Sequence, residues 1–157
     1  MGKSLNVLGA VVSLLEKGNC WYRVAGGFAV DGYAGCLTRS HDEIDALILE
    51  EDFEKIVEIF KKNGGGSFSI YPFKVEFNIE GVHVDLARFQ RDGENYWLVT
   101  TPEHKWPANL LERKEVVLER INFWVPSIDF VLSTRLLDRR AKSRRDKSLL
   151  LQLGADA

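Results

Sequence analysis

The stretch "RVAGGFAVDGYAGCLTRSHDEIDALIL", Arg23 to Leu49, opens on a glycine pair and closes on two acids, Glu43 and Asp45, inside an apolar run. "WYRVA" reads as a short strand, "GGFAVDGYAG" as a turn entering a helix that ends near Gly35, and "EIDALILE" as a buried strand. A strand sends residues i and i+2 to one face, so Glu43 and Asp45 project side by side while Ile44 points into the core. Two parallel carboxylates chelate a hard cation, and magnesium asks for few protein oxygens while keeping waters and phosphates as its other ligands. Gly26 and Gly27, between strand and helix, leave backbone N–H groups and a helix N-terminus open to a phosphate. Each piece alone has a plainer use: a glycine pair is usually a turn, and an acid pair a solvated strand face.

Working outward, "EDFEKIVEIFKKNGGG" predicts a helix with Phe53, Ile56, Val57 and Phe60 on one face, lysines in its last turn and glycines after it. "FKVEFNIE" and "VHVDLARF" predict a hairpin about Gly81, which sets His83 and Asp85 on one face of a strand. A carboxylate amid strand residues is costly to bury unpaired, so Asp85 calls for a cation or for a base such as Arg88. Upstream, "SLNVLGAVVSLLEKG" predicts an amphipathic helix capped by Ser4 and stopped by Gly18. Downstream, "NYWLVT" and "VVLERINFWVPS" each read as a strand, and Ser127 as the cap of the helix "IDFVLSTRLLDRRA", with a last helix "RRDKSLLLQLG" behind it. Between Thr101 and Arg113 only "ANLLERK" is helical in character, because Pro102 and Pro107 interrupt the rest.

A chain of 157 residues with 45% hydrophobic content is the size of one domain, expected to span 1–157 with a helical tail from about 127. The net charge of -2 argues against a surface built wholly for nucleic acid and leaves room for a local basic patch. Cys20 and Cys36 make neither a disulfide framework nor a zinc site, which predicts a reducing cytoplasm. The N-terminal apolar segment is too short and too interrupted to span a bilayer, so no membrane partner is expected.

The order glycine turn, helix, acid-x-acid strand, long helix, hairpin with a third acid resembles the nucleotidyltransferase superfamily with the DNA polymerase beta-like fold. It is most similar to the small aminoglycoside and lincosamide nucleotidyltransferase-like branch. Gly26, Gly27, Phe28, Asp31, Gly35, Thr38, Arg39, His41 and Asp45 fall on that branch's pattern, and Glu43 stands where its first metal-binding Asp is usual. The resemblance implies an α/β (α+β) fold, a mixed sheet flanked by helices with short C-terminal helices. It implies transfer of a nucleoside monophosphate from a nucleoside triphosphate to a hydroxyl acceptor, with release of pyrophosphate. Glu43, Asp45 and Asp85 would then be catalytic and hold magnesium or manganese, and Gly26, Gly27 and Arg39 would contact the nucleotide. From the basic C-terminal helix, Lys142 is the candidate for the triphosphate, beside Arg135 and Lys147. His41 and His83 would orient the acids by hydrogen bonding.

The rival expectation is a regulatory, antitoxin-like nucleotide-binding member of the fold whose chemistry drifted at Glu43. A homodimer is expected, with the N-terminal helix and the apolar "LLLQL" tail meeting a partner that closes the cleft.

Overall fold

The computed structural model describes residues 2–64, 66–135 and 141–155, with the backbone alone for Arg135, 141–144, 154 and 155. Helix α1 (Gly2–Lys17) turns Val7, Leu8, Val11, Val12 and Leu15 into the core on one stripe. Ser4 lies inside this helix and is buried, so it is not the cap that the sequence suggested. Strand β1 (Tyr22–Ala25) leads straight into α2 (Gly26–Ala34), which ends at Gly35 in the left-handed conformation. Next come β2 (Glu43–Leu49), a single 3-10 turn and α3 (Phe53–Lys62).

The middle of the chain is sheet: β3 (Ser67–Tyr71), β4 (Lys74–Ile79), β5 (Val82–Arg91), β6 (Asn95–Leu98) and β7 (Lys105–Pro107). With β1 and β2 these form one seven-stranded sheet, ordered β1-β2-β5-β4-β3, with β6 pairing on β5 and β7 on β6. Among the described strands of this sheet β2 and β5 pair in parallel and the other pairs are antiparallel.

Period-two alternation divides the two faces of this sheet. On one face Ile44, Ala46, Ile48, Val75, Phe77, Val84 and Leu86 belong to the main core beneath α1 and α3, with Phe60 and Phe77 ring to ring at 4.7 Å. The other face is apolar over part of its area, where Leu47, Leu49 and Phe89 join Tyr96, Leu111 and Phe130 in a smaller core. Apart from Ala87, its remaining positions on β2, β5 and β4 are polar.

"VVLERINFWVPS" folds as the hairpin of β8 (Lys114–Leu118) and β9 (Ile121–Val125), not as one strand. Its turn residues Glu119 and Arg120 both take positive φ, 46° and 72°, the pattern of a tight primed turn written without the usual Asn or Gly. "ANLLERK" contributes one 3-10 turn at Ala108–Leu110 before the chain enters β8. Ser127 does cap α4 (Ile128–Arg135), accepting the Phe130 N–H at 3.2 Å.

Helix α5 (Ala141–Ala155) buries Leu150 in the main core and packs Leu149 against it, leaving Leu151 exposed. The apolar faces on which a dimer was expected, on α1 and in "LLLQL", are therefore turned largely inward. Among the described residues no helix is long and apolar enough to cross a membrane.

Candidate active site

Because β2 and β5 run parallel, Asp45 stands beside Asp85 and Glu43 beside His83. On the antiparallel neighbour β4, Glu76 is the partner of Asp85. All five therefore share the polar part of one sheet face. A cavity of about 390 Å³ opens there, floored by Glu43, Asp45 and Asp85. Gly26, at the N-terminus of α2, borders it because Ala25 pairs with Asp45 in the β1–β2 register. Phe89, Leu98, Trp106 and Phe130 wall its apolar side. The structure thus brings together the three expected acids and Gly26, while Gly27, Arg39, His41 and His83 stand outside this lining.

The remaining motif residues hold the loop that delivers β2. Gly26 takes φ +62°, a conformation that favours glycine, at the strand-to-helix turn. At Gly27 a Cβ would sit 2.5 Å from His41 Nδ1 and 2.6 Å from Arg39 Nη2, so its missing side chain makes room for these two. The His41 ring lies 4.3 Å from that of Phe28, and its Nε2 is 2.5 Å from Asp31 Oδ2. Asp31, fully buried on α2, also accepts the Thr38 hydroxyl. Arg39 donates to both carboxylate oxygens of Asp146 on α5, from Nε at 3.2 Å and from Nη2 at 2.9 Å, and from Nη1 to the Ser40 carbonyl at 3.1 Å. An acid partner therefore engages the arginine expected at the nucleotide. His41, expected to orient the acids by hydrogen bonding, has its hydrogen bond to Asp31 on α2.

Asp85 pairs with Lys74, whose Nζ lies 3.2 Å from Asp85 Oδ2 and 2.7 Å from Glu76 Oε1. Arg88, the other base considered for Asp85, pairs with Glu50. Burial pushes the Asp85 carboxyl above the usual carboxylate range, against the opposing pull of Lys74. Glu76 is held below that range by its hydrogen bond from Lys74. His83 lies 3.5 Å from Glu76, and ligand atoms of Glu76, His83 and Asp85 come within 4.8 Å of one another. Glu43 and Asp45 share the cavity of Asp85 without joining that tight group.

Lys74 and Glu76 are the two site neighbours that the sequence reading passed over. The register of the hairpin about Gly81 was the available signal, since it sets Glu76 opposite Asp85. The side chain of Lys142 lies outside the described residues.

Solved structures share this fold. The solution structure of the antibiotic-resistance factor ANT(2'')-Ia superposes with a TM-score of 0.79 at 18% identity, covering 99% of this chain and 86% of that one. The crystal structure of ANT(2'')-Ia in complex with adenylyl-2''-tobramycin gives 0.78 at 19% identity, covering 98% and 91%. The lincomycin-bound lincosamide antibiotic adenylyltransferase LnuA gives 0.75 at 17% identity, covering 93% and 95%. Among curated protein sequences none is significantly similar to the chain. The family model of aminoglycoside-2''-adenylyltransferase matches residues 7–122, from within α1 to the start of β9. By that match the chain belongs to the aminoglycoside-2''-adenylyltransferase family and is a nucleotidyltransferase.

Proposed function

We propose that the chain, acting as one unit over residues 1–157, transfers AMP from ATP to a hydroxyl of a small acceptor and releases pyrophosphate. What carries the proposal is that Glu43, Asp45 and Asp85 floor one cavity beside the N-terminus of α2. Their hard oxygen donors, with no thiol in the lining, fit a divalent cation such as magnesium. Glu43 and Asp45 would hold it on the triphosphate, and Asp85 would complete the acceptor side. A bound divalent cation supplies neutralisation of the phosphoryl oxygens and alignment of the in-line attack. The tighter group of Glu76, His83 and Asp85 fits a metal less well, because the Lys74 ammonium already offsets its charge.

The chain's own residues do the positioning. The backbone at Gly26 offers N–H groups to phosphate oxygens at a helix N-terminus. Phe89, Leu98, Trp106 and Phe130 give the acceptor an apolar wall that excludes water. Asp85 stands on the neighbouring strand to receive the proton of the attacking hydroxyl.

Incubation with α-labelled ATP, magnesium and a panel of hydroxyl acceptors tests the assignment, with tobramycin and lincomycin included because structural relatives carry them. A labelled acceptor that disappears with Asp45→Asn is the expected result. ATP binding without transfer to any acceptor would instead favour the regulatory reading.

A further inference from the structure

A larger cavity, of about 870 Å³, runs along the edge strand β1 and shares no lining residue with the cavity of the acids. The smaller core lends Tyr96 to this cavity and Leu47, Phe89 and Phe130 to the other. The deepest of its cationic groups is Arg23, on β1 and only 7% exposed. Arg23 Nε donates to the Leu111 carbonyl and Nη1 to the Tyr22 carbonyl, both at 2.7 Å. Among the described residues it has no carboxylate partner. A guanidinium buried without a counter-charge is costly.

Two further guanidiniums, of Arg91 and Arg113, line the same cavity. Burial pushes the Arg23 guanidinium down to about 10; Arg113 and Arg91 push the same way, and Tyr96 and Tyr22 oppose. It stays cationic at neutral pH. Two acids also reach this cavity, and neither pairs with Arg23: Glu16 accepts the Tyr22 hydroxyl at 2.7 Å, and Glu112 lies at the rim.

Four aromatic rings, of Trp21, Tyr22, Tyr96 and Trp124, share the rest of the lining with Asn19, Cys20, Ala108 and Asn109. The Arg23 guanidinium carbon sits 4.2 Å from the centre of the Trp21 ring, which stacks on Tyr96 at 5.3 Å. Arg113 lies 4.3 Å over Trp124, and Arg91 Nη1 donates to the Tyr96 hydroxyl at 3.4 Å.

We propose that this cavity is a second binding site, taking a small ligand that joins a phosphate to a planar ring, with a mononucleotide as its simplest form. Forked guanidiniums match phosphate oxygens, and one at the bottom of the cavity gains the counter-charge that the protein does not give it. The indole and phenol faces supply stacking for the ring. The volume lies in the range of small-molecule pockets. The site is separate from the adenylyl-transfer chemistry proposed above and needs no metal.

The four tryptophans make the test direct. Trp21 and Trp124 line this cavity, Trp106 lines the cavity of the acids, and Trp97 lines neither. Their indole N–H signals in 15N-labelled protein are followed while AMP, inorganic phosphate or adenosine is added in EDTA. AMP is expected to move the Trp21 and Trp124 signals saturably, at about millimolar concentration or below. Phosphate alone should move them less, and adenosine less still.

Arg23→Met is expected to weaken this response about tenfold or more, while any response of Trp106 persists. Should that buried substitution unfold the chain, Arg113→Met at the rim gives the same reading, with a loss of several-fold. The proposal is overturned if Trp21 and Trp124 stay still with AMP, if adenosine moves them equally, or if neither arginine variant that folds changes the titration. Movement of Trp106 alone would overturn it too, and would leave the adenylyltransferase assignment standing.

Discussion

Arg39 and Asp146 form a bidentate ion pair, with side chains only 11% and 2% exposed, that ties the loop before β2 to the last helix. Removing Asp146 leaves the Arg39 guanidinium largely buried without its carboxylate. Asp146→Leu is expected to cost about 3 kcal/mol. The double variant Arg39→Met/Asp146→Leu should cost less than the two single changes summed. Urea unfolding of the four proteins measures the coupling, and additive losses would show that the pair is not a unit.

Gly27 is the second fixed point of the same loop, because a methyl group there meets both His41 and Arg39. Gly27→Ala should destabilise the fold by about 1–3 kcal/mol through overpacking. It should also lower turnover, since displacing His41 from Asp31 shifts the entry to β2, and an error of about 1 Å at the acids can cost 10²-fold. Full activity in a folded Gly27→Ala protein would mean that the loop does not position the acids.

Glu43 sets its carboxylate one methylene farther from the strand than an Asp would, and magnesium tolerates little error in its octahedron. Manganese is expected to support more transfer than magnesium, and Glu43→Asp to reverse that ratio. Glu43→Gln should lower turnover about 10²-fold or more with the melting temperature little changed. Unaltered turnover in the Gln variant would remove Glu43 from the proposed metal set.

Asp85 predicts a pH dependence of stability in metal-free protein. Its folded pKa is raised by burial, so the folded state holds the proton more tightly than the unfolded chain. That contribution is fully present below the unfolded carboxylate pKa and is lost as pH rises through the folded value. At neutral pH the charged carboxylate is therefore a burden, and Asp85→Asn should melt higher than the parent in EDTA. The gap should close in acid. A variant that melts lower at neutral pH would show that the pairing with Lys74 outweighs the burial.

The acids were legible because strand parity is local. Period two puts Glu43 beside Asp45 on β2, and the glycine turn at Gly81 does the same for Asp85 on β5. The uses of Gly27, Arg39 and His41 were not, because their partners depend on tertiary packing, with Asp146 far along the chain on a different helix. The β8–β9 hairpin was hidden by turn residues, Glu119 and Arg120, that lack the usual signature of positive φ. Strand β3 alternates Ser67, Phe68, Ser69 and Ile70, yet all five of its residues are exposed, so neither of its faces belongs to the core that such a period predicts. Trp21, Tyr96 and Trp124 look scattered until the sheet and the β9 strand bring them to one cavity.

The parallel pairing of β2 with β5 also sets when the site can exist. Asp45 and Asp85 are neighbours only across that pair, and α3 with the whole β3–β4 hairpin lies between them in the chain. The local pieces, α1, α3 and the hairpins, have short loops to close, whereas the pairing that assembles the acids closes a long one. Transfer activity should therefore return last during refolding, after the helical signal has recovered, and a ribosome-bound chain that ends before β5 carries two of the carboxylates and no active site.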